Sequence, residues 1–355
     1  MLQGKELRDT CLGSATAGMV SRLMCHPLDT AKARLQGPDG GAFTSTWQVL
    51  RMTMEREGFR GLYRGIGAVL VGGSPGMCLY LTTYEATKDL FVENGVGAGA
   101  AAEGGNFVTH FWSGMLAEAV CCVVFVPVDV VKERLQVQQA PLHGVARQVS
   151  PGFDDGRMAG QRPYTGSADA FRTILKTEGL RGIYKGYAAT LGSFGPFAAF
   201  YFMFYEQAKA SSKQLFGRHS IHLGGGGTAT RESVESARGG GGVELPLAVT
   251  LANAAGAAAA ASWLTNPLDI AKLRLQVQRG ARASDGIFSR ATSTAGKDAV
   301  RYSGMLDALG KIYRAGGMTG LFKGSGARMA FQAPSTAIAM ATFERARDAW
   351  GSLLE

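Results

Sequence analysis

Pro27-Leu28-Asp29-Thr30-Ala31-Lys32-Ala33-Arg34-Leu35-Gln36 closes the first apolar stretch of the chain. The same frame returns as Pro127-Val128-Asp129-Val130-Val131-Lys132-Glu133-Arg134-Leu135-Gln136 and as Pro267-Leu268-Asp269-Ile270-Ala271-Lys272-Leu273-Arg274-Leu275-Gln276. Pro, Asp, Lys, Arg and Gln keep their places in all three. A single P-x-D-x-x-K says little, but three copies, each ending an apolar run, define an internal repeat. Two further blocks recur in register. Glu57-Gly58 followed by Gly61-Leu62-Tyr63-Arg64-Gly65 matches Glu178-Gly179 followed by Gly182-Ile183-Tyr184-Lys185-Gly186. In the third copy, Gly316-Gly317 precedes Gly320-Leu321-Phe322-Lys323-Gly324, and the acid is missing. Tyr84-Glu85-Ala86-Thr87-Lys88, Tyr205-Glu206-Gln207-Ala208-Lys209 and Phe343-Glu344-Arg345-Ala346-Arg347 close the repeats. Pro75, Pro196 and Pro334 each stand ten residues before Glu85, Glu206 and Glu344, which confirms the register.

Around these blocks the chain divides into repeat 1 (1–105), repeat 2 (106–215), a Gly-rich linker without a fold of its own (216–242) and repeat 3 (243–355). Apolar runs at 11–35, 65–90, 107–138, 184–212, 246–278 and 322–350 are six candidate membrane-spanning helices. Small residues such as Gly13, Ala17 and Gly18 allow close helix approach in lipid. The prolines inside these runs predict kinks, tolerated where a helix lines a cavity. Between each pair lies a short amphipathic segment, at 43–57, 168–178 and 303–314, expected to lie on the membrane surface. The fold class is therefore an all-α membrane protein: six transmembrane helices in a threefold pseudo-symmetric barrel of helix–loop–helix repeats.

Composition agrees. Apolar residues make up 46% of the 355 and charged residues only 18%, against about 25% charged in soluble domains. The net charge of +9 fits contact with anionic lipid. No basic run is interleaved with aromatics, so nucleic acid is not an expected partner. Cys11, Cys25, Cys78, Cys121 and Cys122 form no C-x-x-C pair and read as small apolar residues rather than metal ligands. The first ten residues carry no presequence pattern. An enzyme is the least supported reading: there is no nucleophile–base spacing, no metal cluster, no cofactor motif, and the glycine tracts lie in linkers.

The nine blocks resemble the signature of the mitochondrial carrier family, and the resemblance covers nearly the whole chain. It implies a multi-pass transporter of the mitochondrial inner membrane, without cofactor, functioning as a monomer by alternating access. In a threefold bundle, Asp29, Asp129 and Asp269 can pair with Lys32, Lys132 and Lys272 of neighbouring repeats. The resemblance makes this the matrix gate, braced by Gln36, Gln136 and Gln276. Glu85, Glu206 and Glu344 with Lys88, Lys209 and Arg347 become the cytoplasmic gate, braced by Tyr84 and Tyr205. Phe343 lacks the hydroxyl, so that gate is expected to be the less strongly braced. Tyr63, Arg64, Gly65, Tyr184, Lys185, Gly186, Phe322, Lys323 and Gly324 correspond to cardiolipin sites, at helix N-termini suited to phosphate.

Substrate contacts carried over from the family are Gly72, Gly73, Ser193, Phe194, Phe331 and Gln332. None is charged, which counts against nucleotides and di- or tricarboxylates. Tyr80 and Tyr201 share that face one turn on. Arg22 lies five residues before Pro27 and Glu118 nine before Pro127, a difference of about one turn. Intramembrane charges are functional by default, and the pair suggests a bipolar site, although mutual neutralisation is the alternative. An acid at Glu118 and a short first loop are similar to the S-adenosylmethionine carrier-like branch. The expected substrate is a small amino acid or amino-acid-derived cation such as S-adenosylmethionine. The alternatives are a different small solute, a divalent metal ion, or a non-transporting scaffold on the same fold.

Overall fold

The computed structural model describes residues 4–38, 43–93, 107–138, 164–223, 245–278 and 301–353. The expected loop at 94–105, the insertions at 139–163 and 279–301 (apart from Arg301) and most of the linker lie outside the described residues. Every regular element among the described residues is helical: α1 (Gly4–Gln36), α2 (Thr46–Leu62), α3 (Ile66–Glu93), α4 (Phe107–Val137), α5 (Ser167–Ile183), α6 (Tyr187–Leu223), α7 (Leu247–Leu264), α8 (Asn266–Val277), α9 (Met305–Leu321) and α10 (Ser325–Leu353). Helix α6 runs to Leu223, past Phe216 where the linker was expected to begin.

The prolines act unequally. Pro27, Pro127, Pro196 and Pro334 stay inside continuous helices, and Pro75 lies within α3 where the chain is bent between Gly73 and Pro75. Only the third odd-numbered run of the sequence breaks, at Thr265, into α7 and α8. There Asn266 donates from Nδ2 to the Leu321 carbonyl (2.8 Å), and the Thr265 hydroxyl bonds back to Ala261 (2.8 Å). Pro267 has no N–H to give to the ladder, and the Thr265 N–H reaches the Ala261 and Trp263 carbonyls at the break. The surface helices end close to where expected, because α2, α5 and α9 each kink at a non-helical glycine with positive φ, Gly58 (66°), Gly179 (66°) and Gly317 (60°), before a last short turn. That conformation costs an L-residue with a side chain, so the glycine turns each helix towards the next element.

Each surface helix buries one face on the end of its repeat's odd helix. Val49 and Phe43 pack on Ala31 and Leu35; Ile174 and Ala170 on Val130 and Leu135; Ile312 and Ala308 on Ile270 and Leu275. Along α4, Trp112, Leu116, Val120 and Val123 are exposed at helical spacing, an apolar stripe turned outward, while charged residues turn inward. By length and composition, two described helices can cross a membrane, at Trp112–Val137 and Leu247–Leu264. The pair Thr46–Gly73 and Pro75–Phe91, bent by 42°, adds a third if it is one span.

Candidate functional site

The repeated Asp and Lys residues meet where α1, α4 and α8 converge. Lys132 Nζ lies 2.7 Å from Asp29, Lys272 Nζ 3.0 Å from Asp129, and Lys32 Nζ 2.8 Å from Asp269. Each repeat thus gives its aspartate to the lysine of the next, and the ring closes on itself. Just beyond it Ala33, Val137 and Leu273 form a buried apolar plug. Ions in a water-poor layer attract more strongly than on a surface, and the apolar plug supplies that dryness.

The glutamines are not equivalent. Gln136 donates to Asp29 Oδ2 (3.2 Å). Gln36 instead donates to Asn266 Oδ1 (3.0 Å), and Gln276 to Thr190 Oγ1 (3.4 Å). Only one of the three expected braces therefore touches a ring carboxylate; the others tie neighbouring helices together. The physical reason is local: Asn266, present only in the third repeat, is the nearer partner for Gln36.

The sequence reading gave no role to the repeated arginines, yet they are the most connected side chains. Arg34 donates to the Gln136 carbonyl (3.0 Å), Thr53 Oγ1 (2.9 Å) and Glu57 Oε2 (2.9 Å). Arg134 donates to the Gln276 carbonyl (3.0 Å) and to both oxygens of Glu178. Arg274 reaches the Gln36 carbonyl (3.3 Å) and the Tyr302 hydroxyl (3.4 Å), with glycine standing where the acid would be. The shared register of Arg with the Glu-Gly block was the signal. Arg328 on α10 was also missed. Its Nε lies 3.3 Å from Asp269, and its Nη1 donates to the Ser262 carbonyl (2.7 Å) and Thr265 Oγ1 (3.0 Å), bracing the α7–α8 break.

The opposite end is different. Lys88 pairs with Glu85 of its own helix (4.0 Å), and Lys209 with Glu206 of its own (3.7 Å). Arg347 lies over the Phe343 ring and pairs with its neighbour Asp348 (3.2 Å). Among the described residues no ion pair joins two even helices here. Tyr84 stacks on Tyr80, and Tyr205 on Tyr201. The molecule is sealed at one end and unlatched at the other.

Between the ends lie three cavities of about 200, 390 and 370 Å³, and Arg22 lines all three. Gln332 lines the first two, Tyr201 the second and Gly73 the third. Phe331 lines the first, with Lys32 Nζ 6.0 Å above its ring. Phe194 packs edge-on to Tyr80, and Ser193 bonds back to Thr190 in its own helix. Gly72 departs from its expected role. It is buried against α4, where an added Cβ would come within 2.1 Å of Val128 Cγ2, so its smallness serves helix packing. Glu118 also departs. It accepts a weak bond from Cys122 Sγ (3.4 Å) and lines none of the three cavities that Arg22 lines. No ion pair joins it to Arg22 among the described residues.

At the even-helix N-termini, the basic side chains cap neighbouring helices. Arg64 Nη1 donates to the Gln138 carbonyl (2.8 Å) and Lys185 Nζ to the Gln278 carbonyl (3.0 Å), partners a helix C-terminus favours. Gly186 and Gly324 have φ of 84° and 74°, and a Cβ there would meet Gln276 or Gln36 at 2.9 or 2.8 Å. All five cysteines are free thiols.

An all-helical body of three like units, with an outward apolar stripe and a charged, sealed interior, is the architecture of a membrane solute carrier. The family model for mitochondrial carrier proteins matches residues 4–95, 103–214 and 243–352, and the chain belongs to that family. It is a multi-pass transport protein of the mitochondrial inner membrane, not an enzyme. It is 30% identical to mitochondrial substrate carrier family protein E of Dictyostelium discoideum over 336 residues, 94% of this chain and 93% of the relative. It is 30% identical to the mitoferrin of the same organism over 334 residues, 94% and 91% of the two chains. It is 28% identical to the mitochondrial S-adenosylmethionine carrier protein of Xenopus tropicalis over 328 residues, 92% and 91%.

Proposed function

We propose that the protein moves a small amino acid or an amino-acid-derived cation, of which S-adenosylmethionine is one, across six spanning helices by alternating access. The observation that carries the reading is the cyclic set of Asp–Lys pairs closed at one end while the corresponding charges at the other end stay within their own helices. The closed ring is the matrix gate, and the unlatched Glu–Lys and Glu–Arg set is the cytoplasmic gate. Substrate enters from the cytoplasmic side and meets Arg22, which lines all three cavities described above and has no ion-pair partner among the described residues. A substrate carboxylate is the natural partner for that guanidinium. The cost of desolvating these enclosed charges offsets much of their mutual attraction, so the ring can be exchanged by a ligand that binds the occluded state best. Exchange of substrates, function as a monomer and cardiolipin at the even-helix N-termini belong to the same reading.

The likeness to a mitoferrin favours a second reading, a metal-ion carrier. The test is thermal unfolding of the purified protein in detergent with cardiolipin, followed by uptake into liposomes. The panel holds amino acids, S-adenosylmethionine, malate, ADP and Fe²⁺ or Mg²⁺. Ligand binding raises apparent stability by mass action. A shift and uptake with amino acids or S-adenosylmethionine supports the first reading. A response to divalent ions alone supports the second. No response to any compound favours a non-transporting scaffold.

A further inference from the structure

Glu133 breaks the threefold pattern at the centre of the seal. Its counterparts Ala33 and Leu273 are buried in the apolar plug. Glu133 is itself only 7% exposed. One oxygen, Oε1, lies 3.3 Å from Lys132 Nζ, the ammonium that also holds Asp29 at 2.7 Å. The other, Oε2, is buried and takes no hydrogen bond from any described residue. Glu133 lines the same cavity as Arg22, Gln332 and Phe331. A buried carboxylate oxygen without a donor is costly, and a purely structural acid would have been better replaced by the alanine or leucine of the other repeats.

We infer that Glu133 recognises the cationic group of the substrate, in place of Glu118, and couples its arrival to release of the matrix gate. The inference rests on the transport reading above and sharpens its substrate class: a solute with a positive group placed to reach Glu133 while a negative or polar group reaches Arg22. The coupling follows from Lys132 being shared. A substrate ammonium or sulfonium at Oε2 draws Glu133 away from Lys132. The incoming positive charge also repels the Lys132 ammonium beside it, so the Asp29–Lys132 link is the ring contact that the substrate disturbs first. An anionic solute has no such effect, because Glu133 repels it. The third repeat cannot do this, since Leu273 has no charge, so release begins between repeats 1 and 2.

The test uses the full chain in liposomes, with lysine, S-adenosylmethionine and malate as probes. Glu133→Gln and Glu133→Leu are compared with Glu118→Gln and wild type. Losing a charged hydrogen bond lowers uptake of the two cationic probes by about 10- to 100-fold in both Glu133 variants. Glu133→Leu, which copies the third repeat, also unfolds at the wild-type temperature or above when no ligand is present, and loses the ligand-induced rise. That combination separates recognition from a structural role. Wild-type uptake and thermal response in Glu133→Gln or Glu133→Leu overturns the inference while leaving the carrier reading intact. So does a loss confined to Glu118→Gln. A wild-type protein that takes up only malate, or none of the probes, overturns the substrate reading and this inference together.

Discussion

Replacing Glu178 by glutamine removes the charge from one of the enclosed pairs outside the ring. The side chains of Arg134 and Glu178 are 1% and 9% exposed. Arg134 would keep its bonds to the carbonyls of Gln276 and Gln278 but would become a buried cation without its carboxylate. Breaking a buried pair in this way costs about 3–5 kcal/mol. With an unfolding entropy of about 2 cal/mol/K per residue, 1 kcal/mol corresponds to roughly 1.3 °C for a chain of 355 residues. The expected fall is therefore about 4–7 °C. Glu57→Gln should behave alike, because Arg34 and Glu57 are each 4% exposed. The third repeat supplies the converse experiment. Arg274 has glycine at the equivalent position, and a Cβ on Gly316 meets nothing within 4 Å. Gly316→Gln gains only the helix preference over glycine, about 0.5–1 kcal/mol. Gly316→Glu should exceed it by about 1–2 kcal/mol, the net worth of a charged hydrogen bond. The assay is thermal unfolding in one detergent at fixed cardiolipin, followed by intrinsic fluorescence. Falls under about 1 °C in both glutamine variants, or equal gains for Gly316→Gln and Gly316→Glu, would refute the view that these arginine–carboxylate pairs hold the odd-helix ends.

Three other outcomes are expected. Gly186→Ala and Gly324→Ala force a Cβ into positive φ and within 3 Å of a glutamine side chain, costing about 1–3 kcal/mol each; unchanged unfolding temperatures would contradict this. Phe343→Tyr restores a hydroxyl beside Glu344 and Arg347, so it should stabilise the form closed at this end and slow transport two- to tenfold, roughly the effect of one weak hydrogen bond, as measured by initial rates in liposomes. Arg328→Gln leaves Asp269 with Lys32 alone and removes the brace at the α7–α8 break. The sealed end should then open more readily, seen as faster thiol labelling of a cysteine introduced at Leu273; labelling at the wild-type rate would argue that Arg328 only packs.

Much was determined by the sequence alone, because repetition carries information that a single motif does not. The three Pro-x-Asp frames, the Glu-Gly blocks and the constant offset from proline to glutamate carried the repeat, the helix order and the recurring charges. Three things were decided only by the tertiary structure. Side chains that leave adjacent helices in the same register can meet different partners, so Gln136 reaches a ring aspartate while Gln36 and Gln276 do not. Gly72 and Gly73 look alike in the chain, yet one faces Val128 and the other a cavity. Glu118, prominent as a charge in an apolar run, stands apart from the cavities that Arg22 lines, whereas Glu133, unremarked inside the repeated motif, is turned into one of them. Periodicity shows which residues share a helix face. What that face meets depends on how neighbouring helices pack against it, and no local pattern encodes that.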